Sequence, residues 1–160
     1  GNPANGPRRT FYSSSAALTR ADIPFGMLPS CKAKSEQLMQ AQETLSARLR
    51  ADLSAFIGTE QWHRHALNRH MLVTDGVKYF AETAGCYWFL DIVATEVMTL
   101  QTQHPFLVID LDVASNKADI RVSDGNDLVL FERHIHFTDA PDGLWRFYLT
   151  DNVLLLPSEY

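Results

Sequence analysis

Apolar residues recur at helical spacing in the first part of the chain. Between residues 35 and 57 apolar side chains recur at helical spacing, with Gln42 in place of one of them, and charged residues lie between them; the apolar set is Leu38, Leu45, Leu49, Leu53 and Phe56, and the charged set is Glu36, Glu43, Arg48, Arg50 and Asp52. This period is typical of an amphipathic α-helix, and Ser35 and Gly58 suit its two ends. We predict a helix over residues 35–57 that packs on a sheet. A helix that joins two copies of the chain is the alternative.

A second helical region comes next in the chain. Residues 70–74 have the pattern of a short strand, and residues 77–84 have the pattern of a helix. Asp75 stands where a carboxylate can cap the free amides of that helix and interact with its dipole. Gly85 stands where a left-handed residue commonly ends a helix.

Residues 87–100 are apolar on nearly all sides and predict a buried helix, with a strand at its start as the alternative. Asp91 interrupts this run, and we expect a buried carboxylate there to need a partner. Arg64, His65 or a helix N-terminus can supply that partner. We favour a buried Arg64–Asp91 pair that holds the preceding loop against the helix.

After Pro105 the apolar period changes from about four to two, which is typical of β-strands. Short turns separate the strand-like segments, and Asp124-Gly125-Asn126 is a strong hairpin signal. The predicted strands are 106–113, 118–124, 127–137 and 144–150, with a short terminal strand at 153–157. The predicted fold class is α+β, with the N-terminal helices packed on one face of a C-terminal antiparallel meander of about four strands.

The chain is long enough for one domain, and its composition changes near residue 34. Residues 1–33 are rich in turn-forming and small polar residues, so we predict an extended or partly disordered arm followed by a single α+β domain over residues 34–160. The arm is basic, whereas the domain is acidic and gives the chain its net charge of −5. An acidic domain makes nucleic acid an unlikely partner.

The cellular setting follows from what the sequence contains. Cys31 and Cys86 are the two cysteines, too few for a disulfide framework. We find no apolar stretch long enough to span a membrane and no signal peptide near Gly1. We therefore expect a cytoplasmic protein that does not bind membranes.

The sequence gives only weak signals for catalytic or metal-binding residues. His63 and His65 form one His-x-His pair and His134 and His136 form another, a spacing that can offer two nitrogens to one metal on a strand. We favour solvent-facing or hydrogen-bonding roles for all four. Cys86 lies beside aromatic residues and is interpreted as a core residue. No phosphate-binding or dinucleotide-binding glycine motif is present, so we expect no cofactor, no metal and no catalytic residue.

The loop predicted over residues 58–68 carries the residues we expect to mediate recognition. An acidic domain without a catalytic motif favours a protein partner. The predicted binding residues are Trp62, Arg64, His65, Asp75, Glu82, Asp91 and Tyr160. The alternative is a small hydrolase-like enzyme with a polar pocket around Arg64, His65 and Asp91.

Four blocks of the sequence resemble a bacterial family of unknown function that is associated with phages, plasmids and other mobile elements. The blocks are FIGTEQWHRHALN (56–68), VTDGVKYFAETAGCYWFLDIVA (73–94), FTDAP (137–141) and YLTDNVLLLPSEY (148–160). Ile57 and Cys86 depart from that family's pattern. The resemblance implies no particular activity.

A shorter segment, VKYFAETAGCYWFL, is similar to plasmid antirestriction proteins. Together the two resemblances imply a non-enzymatic factor of a mobile element that binds a host or mobile-element protein. The expected activity is counter-defence, of an anti-restriction or anti-CRISPR type. A homodimer formed through helix 35–57 is a further expectation.

Overall fold

A computed structural model describes residues 31–160, and residues 1–30 of the predicted arm lie outside the described residues. The chain divides into two units, Gly1–Ser35 and Glu36–Tyr160, and the tertiary contacts below lie within the second. The elements, in chain order, are α1 (Cys31–Leu53), β1 (His63–Arg64), β2 (Leu72–Val73), α2 (Asp75–Ala84), α3 (Tyr87–Thr95), a 3-10 helix (Val97–Thr102), β3 (Phe106–Ala114), β4 (Lys117–Ser123), β5 (Val129–Ile135), β6 (Gly143–Thr150), β7 (Val153–Leu155) and a second 3-10 helix (Pro157–Glu159).

The predicted fold class is confirmed, but the sheet is larger than the predicted meander. It has seven strands in the order β1-β2-β7-β6-β3-β4-β5. The β2–β7 pair is parallel, with Leu72 opposite Val153, and the other pairs are antiparallel. The short strands predicted at residues 70–74 and 153–157 contain β2 and β7, but the sequence did not predict β1, whose two residues are too few to show a period.

The central strands form a Greek key. β3, β4 and β5 follow one another as hairpins, and β6 then crosses back to lie beside β3. The crossing segment is fixed to the β3–β4 turn, because Thr138 N donates to Asn116 O at 2.8 Å and Asn116 Nδ2 donates to Thr138 O at 3.3 Å. Farther along, Trp145 Nε1 donates to Pro141 O at 3.2 Å. Residues 137–142 are thus an ordered crossover rather than a tight hairpin.

One face of the sheet carries the core, and α2 and α3 pack against that face. The rings of Phe80 in α2 and Phe89 in α3 each lie 5.0 Å from the Phe147 ring in β6. Residues on the other face of β3 and β4 are more exposed, as expected for an antiparallel sheet with one solvated side, and Asp110, Asp112, Asp119 and Arg121 on that face are charged. Cys86 is fully buried in this core, as predicted, and burial raises the pKa of its thiol to about 12.

Helix α1 begins and ends four residues earlier than predicted. At its start the Ser35 hydroxyl donates to Lys32 O within the helix, so Ser35 does not cap it. Beyond Leu53 the chain tightens into single turns, with Phe56 N bonded to Leu53 O. Leu49 and Leu53 are buried, whereas Leu38 is 68% exposed, so only the C-terminal part of the helix contributes to the core.

Helix α3 is shorter than predicted and is not buried on all sides. It ends at Thr95, and a 3-10 helix continues the chain. Tyr87, Asp91 and Thr95, spaced four residues apart, lie on the exposed side. The prediction that Asp91 is buried is therefore wrong: its side chain is 52% exposed. None of the helices within residues 31–160 has the length and apolar character needed to cross a lipid bilayer.

Candidate functional site

Asp75, the first residue of α2, organises the loop that precedes β1. Its Oδ1 lies 2.7 Å from His63 Nε2. Its Oδ2 accepts hydrogen bonds from the backbone amides of Glu60 and Gln61, both at 3.2 Å, and lies 3.1 Å from the Thr59 hydroxyl. Both oxygens of one carboxylate therefore hold three consecutive loop residues and one strand residue against the start of the helix.

These contacts stabilise the charged form of Asp75. The hydrogen bond with His63 is the largest cause, followed by those from the loop, and together they lower the pKa of Asp75 to about 2. Asp75 was predicted to cap α2. Its side chain binds the loop instead.

The α2 amides are capped by Glu159, which arrives from the other end of the chain. Its Oε1 accepts a hydrogen bond from Gly76 N at 3.2 Å, and its Oε2 accepts one from the Thr74 hydroxyl at 2.5 Å. The same Oε2 accepts a hydrogen bond from Leu156 N at 3.1 Å. Glu159 therefore binds the C-terminal turn to the first turn of α2.

The glycine in the Thr-Asp-Gly sequence permits this approach. A Cβ at Gly76 would lie 2.5 Å from Leu156 Cδ1 and 3.0 Å from Glu159 Oε2. Three separate sequence blocks, around residues 59–61, 74–76 and 156–159, thus meet at the start of α2. The hydrogen bonds among these blocks give all three a shared structural role at this point of the fold.

The segment of residues 57–68, which includes β1 and is called the 57–68 segment below, turns several of its polar side chains towards the protein, whereas Glu60, Gln61 and Arg64 are exposed. Beyond the contacts with Asp75, Asn68 Nδ2 donates to Ala94 O at 2.9 Å. His65 is 9% exposed, and its Nε2 lies 3.1 Å from Asp91 Oδ1. The segment is therefore attached to α2 and α3 by polar contacts along its length.

The large apolar side chains of the same segment face solvent. Ile57 is 85% exposed, Trp62 is 64% exposed and Leu67 is 66% exposed. A loop normally shows the opposite arrangement, with apolar groups inside. The 57–68 segment is thus a well-anchored backbone that presents three large apolar side chains.

The predicted Arg64–Asp91 pair does not form. Arg64 is exposed and has no hydrogen-bond or ion-pair partner among the described residues. Side chains alternate across a strand, so His63 and His65 point to one side and Arg64 to the other. His65 takes the place expected of Arg64, although its buried Nδ1 has no partner among residues 31–160.

Asp75 and Glu82 line one shallow cleft of about 440 Å³ beside α2. Its other lining residues are Phe56, Glu60, Gln61, His63, Lys78 and Tyr79. A Glu82 carboxylate oxygen lies 3.8 Å from Lys78 Nζ one turn earlier, and Glu82 accepts a hydrogen bond from the Tyr87 hydroxyl. Most polar groups of the cleft are therefore paired with each other.

The remaining predicted site residues lie elsewhere. Arg64, His65 and Asp91 are not among the residues that line this cleft. Tyr160 stacks with Phe106 and Tyr148, at ring distances of 5.5 and 5.6 Å. The structure therefore divides the predicted binding residues among the 57–68 segment, the cleft and an aromatic cluster.

The exposed face of the sheet carries two rows of side chains that run across the strands. The first row is Glu132, Arg121, Asp110 and Arg146, on neighbouring strands. Arg146 donates two hydrogen bonds to Asp110, at 2.7 and 2.9 Å, and Arg121 donates one to Glu132 at 3.0 Å. Charges of this row alternate in sign and compensate one another.

The second row is less balanced. It consists of His134, Asp119, Asp112 and Leu144. His134 Nδ1 lies 2.6 Å from Asp119 Oδ1, and the His136 ring lies 4.8 Å from the His134 ring. Within residues 31–160 no group of three or more His, Cys, Asp or Glu side chains is placed to hold a metal ion.

A family model for a family of unknown function, DUF6876, matches residues 47–160. The chain belongs to this family. The match confirms the resemblance to a family of unknown function. The matched region contains the 57–68 segment, the contacts of Asp75 and Glu159 at the start of α2, and the whole sheet. No curated protein and no solved structure matched the chain.

Ile57 and Leu67 were not among the residues predicted from the sequence to form a binding site. The signal was nevertheless available, because both are large apolar residues in a stretch otherwise rich in polar side chains. The role of His63 was missed as well. It lies twelve residues from Asp75, and no sequence spacing indicates that a loop histidine will meet the first residue of a helix.

Proposed function

We propose that this protein is a non-enzymatic binding factor that docks on another protein through the 57–68 segment. The observation that supports the proposal is the inverted polarity of that segment. The side chains of Thr59, His63, His65 and Asn68 bind the rest of the protein, while Ile57, Trp62 and Leu67 face water. Covering each of these side chains in a complex would contribute on the order of 1.5–3 kcal/mol.

The anchored backbone of the 57–68 segment favours binding, in addition to the exposure of its apolar side chains. Association is weakened by the entropy lost when a mobile loop becomes ordered. Here the Asp75 carboxylate binds the backbone amides of Glu60 and Gln61, and the Ala94 carbonyl accepts a hydrogen bond from the Asn68 side chain, so little further ordering is needed. Tryptophan and arginine are common among the residues that dominate binding energy in interfaces, and Trp62 and Arg64 lie two positions apart.

The partner surface should be an apolar pocket bordered by carboxylates. Arg64 and Arg69 are exposed and form no hydrogen bond or ion pair with other described residues. They are therefore available to acidic groups of another protein. The exposed face of the sheet is less suitable, because its first row of charges is already internally compensated.

The proposal extends to the biological role suggested by the sequence blocks. The likeness to families of phages, plasmids and antirestriction proteins supports a host defence protein as the partner. A restriction or CRISPR component that normally handles nucleic acid is one candidate. This part rests on sequence likeness, whereas the docking surface rests on the structure.

The test compares two variants of similar composition. Tagged wild-type protein, a W62A/L67S variant and a control L144S variant are used to capture partners from host cells, and each captured protein is purified and titrated against all three. Leu144 is also exposed, but it lies on the sheet. Binding that is lost in W62A/L67S and kept in L144S supports the proposal.

Three outcomes contradict it. Loss only in L144S would move the docking site to the sheet, and equal loss in both variants would show that binding does not depend specifically on the 57–68 segment. If no captured protein binds in titration, and restriction and CRISPR interference are unchanged in cells that express the protein, the binding function itself is wrong. Thermal unfolding of each variant establishes that loss of binding does not follow from loss of the fold.

A further inference from the structure

Strand β5 lies at one edge of the sheet. It pairs with β4 on one side, and none of the described strands pairs with its other side. Backbone amides and carbonyls on that side are available to another strand. Two large apolar residues flank the strand in an exposed position, Leu128 before it and Phe137 after it.

The sequence of β5 is complementary to itself when two copies run antiparallel. With Arg133 on a twofold axis, Glu132 of one copy lies opposite His134 of the other, and the same pair recurs on the other side of the axis. Glu132 and His134 both lie on the exposed face of the sheet, so the opposed side chains share that face. In the same register Phe131 lies opposite Ile135, which brings together two apolar pairs.

We propose that two copies of this chain associate through β5 to form one continuous sheet. Pairing in this register joins the first charged row of one copy to the second charged row of the other. His134, already paired with Asp119, gains Glu132 of the other copy as a second carboxylate neighbour.

Arg133 is the one residue that meets its own copy across the axis. Its guanidinium already binds the carboxylate of Glu96 at the end of α3. Two neutral arginine–glutamate pairs therefore face each other, and each arginine also has the glutamate of the other copy nearby. Repulsion between two bare cations is avoided.

Neighbouring registers do not have this complementarity. An axis through Glu132 places the two Glu132 carboxylates opposite each other and Phe131 opposite Arg133. An axis through His134 places the two imidazoles opposite each other and Arg133 opposite Ile135. The irregularity in the β4–β5 pairing at Val122 and Ser123 limits regular pairing to residues 131–135. Charge and shape therefore select the axis at Arg133.

The test uses charge reversal in the whole chain and measures the dimer dissociation constant by sedimentation equilibrium. E132K places a cation opposite His134 at both symmetric positions, and we expect it to weaken the dimer at least about tenfold. The double variant E132K/H134E restores opposite charges across the axis. The double variant also breaks the internal pairs Arg121–Glu132 and Asp119–His134. If the substitutions acted only by disturbing the fold, it would therefore form the weakest dimer among wild type, E132K and E132K/H134E.

The expected result is a dimer for wild type, a weakened dimer for E132K and recovery in the double variant. A wild-type chain that remains monomeric at all concentrations overturns the proposal. So does a double variant that dimerises no better than E132K. Loss of the dimer in L45E, with no effect of E132K, would also overturn it and would assign the dimer to α1 instead. Circular dichroism of every variant confirms that the monomers compared are folded.

Discussion

The Glu159 carboxylate accepts a hydrogen bond from the Thr74 hydroxyl at 2.5 Å, although the two residues are 85 positions apart in the chain. Helix capping is usually local, from a residue just before the helix. Here the N-cap residue, Thr74, makes no side-chain hydrogen bond to its own helix, and a residue from a distant turn binds the free amide of Gly76. Docking of the C-terminal turn therefore stabilises the helix start.

Removing this carboxylate should destabilise the whole fold. E159Q keeps the shape of the side chain but weakens the hydrogen bonds to Thr74 and Gly76, and we expect a loss of about 1 kcal/mol in the free energy of unfolding. Urea unfolding followed by circular dichroism measures it. E43Q, on an exposed position of α1, is the matched control and should change stability by less than about 0.5 kcal/mol. Equal effects of the two variants would contradict the capping role.

Gly76 and Gly58 form a matched pair of glycines. Alanine is favoured over glycine within a helix by about 1 kcal/mol. At Gly76 the added Cβ would overlap Leu156 and Glu159, and overpacking of this kind costs about 1–3 kcal/mol. We therefore expect G76A to be less stable than wild type. G58A has open space around the new Cβ and should be neutral or slightly stabilising. Thermal unfolding of both variants measures the two effects. A G76A variant as stable as wild type would contradict the predicted overlap with Leu156 and Glu159.

Asp75 should contribute stability that disappears in acid. Its folded pKa, about 2, lies below the usual value of 3.8, so the folded state favours the charged form. The contribution is fully present above about pH 4 and is lost as the pH falls towards 2. The stability difference between wild type and D75N should therefore be constant near neutral pH and shrink below pH 4.

The control for this prediction is D112N, because Asp112 is exposed and has no partner among the described residues. Its stability difference from wild type should change little with pH. Urea midpoints measured from pH 6 to pH 2 supply both curves. A D75N difference that persists in acid would show that Asp75 acts through its shape alone.

His65 and Arg64 should differ sharply despite their adjacent positions. H65A removes a buried ring beside Asp91 and leaves a cavity, so we expect a loss of about 2 kcal/mol. R64A removes an exposed side chain and should change stability by less than about 0.5 kcal/mol. If R64A were the more destabilising of the two in urea unfolding, the arrangement of β1 described above would be wrong.

Local patterns predicted the local elements. Helix α2 was expected over residues 77–84, and Gly85 ends it with a left-handed φ of 66°. The Asp124-Gly125-Asn126 turn joins β4 to β5, with Asp124 Oδ1 bonded to Asn126 N at 2.8 Å. In each case the determining interaction lies within a few residues, which is the range over which a sequence pattern is informative.

Distant pairings were not predictable in the same way. Leu72 and Val153 pair in parallel across the chain, and neither strand is long enough to show a period of its own. The exposure of Asp91 was not predicted because a helix that is apolar on nearly all sides gives no indication of which face lies towards solvent. Only the docking of α3 on the sheet decides that Phe89 and Leu90 are inside and Asp91 outside. The exposure of Trp62 likewise depends on contacts made by its neighbours.

The position of β7 between β2 and β6 also determines when the protein can fold. During synthesis the N-terminal segments emerge from the ribosome first. Strands β1 and β2 join the sheet only through β7, and the Gly76 amide in the first turn of α2 acquires its partner only from Glu159. Until residues 153–159 have emerged, Phe80 and Phe89 lack their complete sheet, so chaperone binding to the nascent chain should persist until that point of translation.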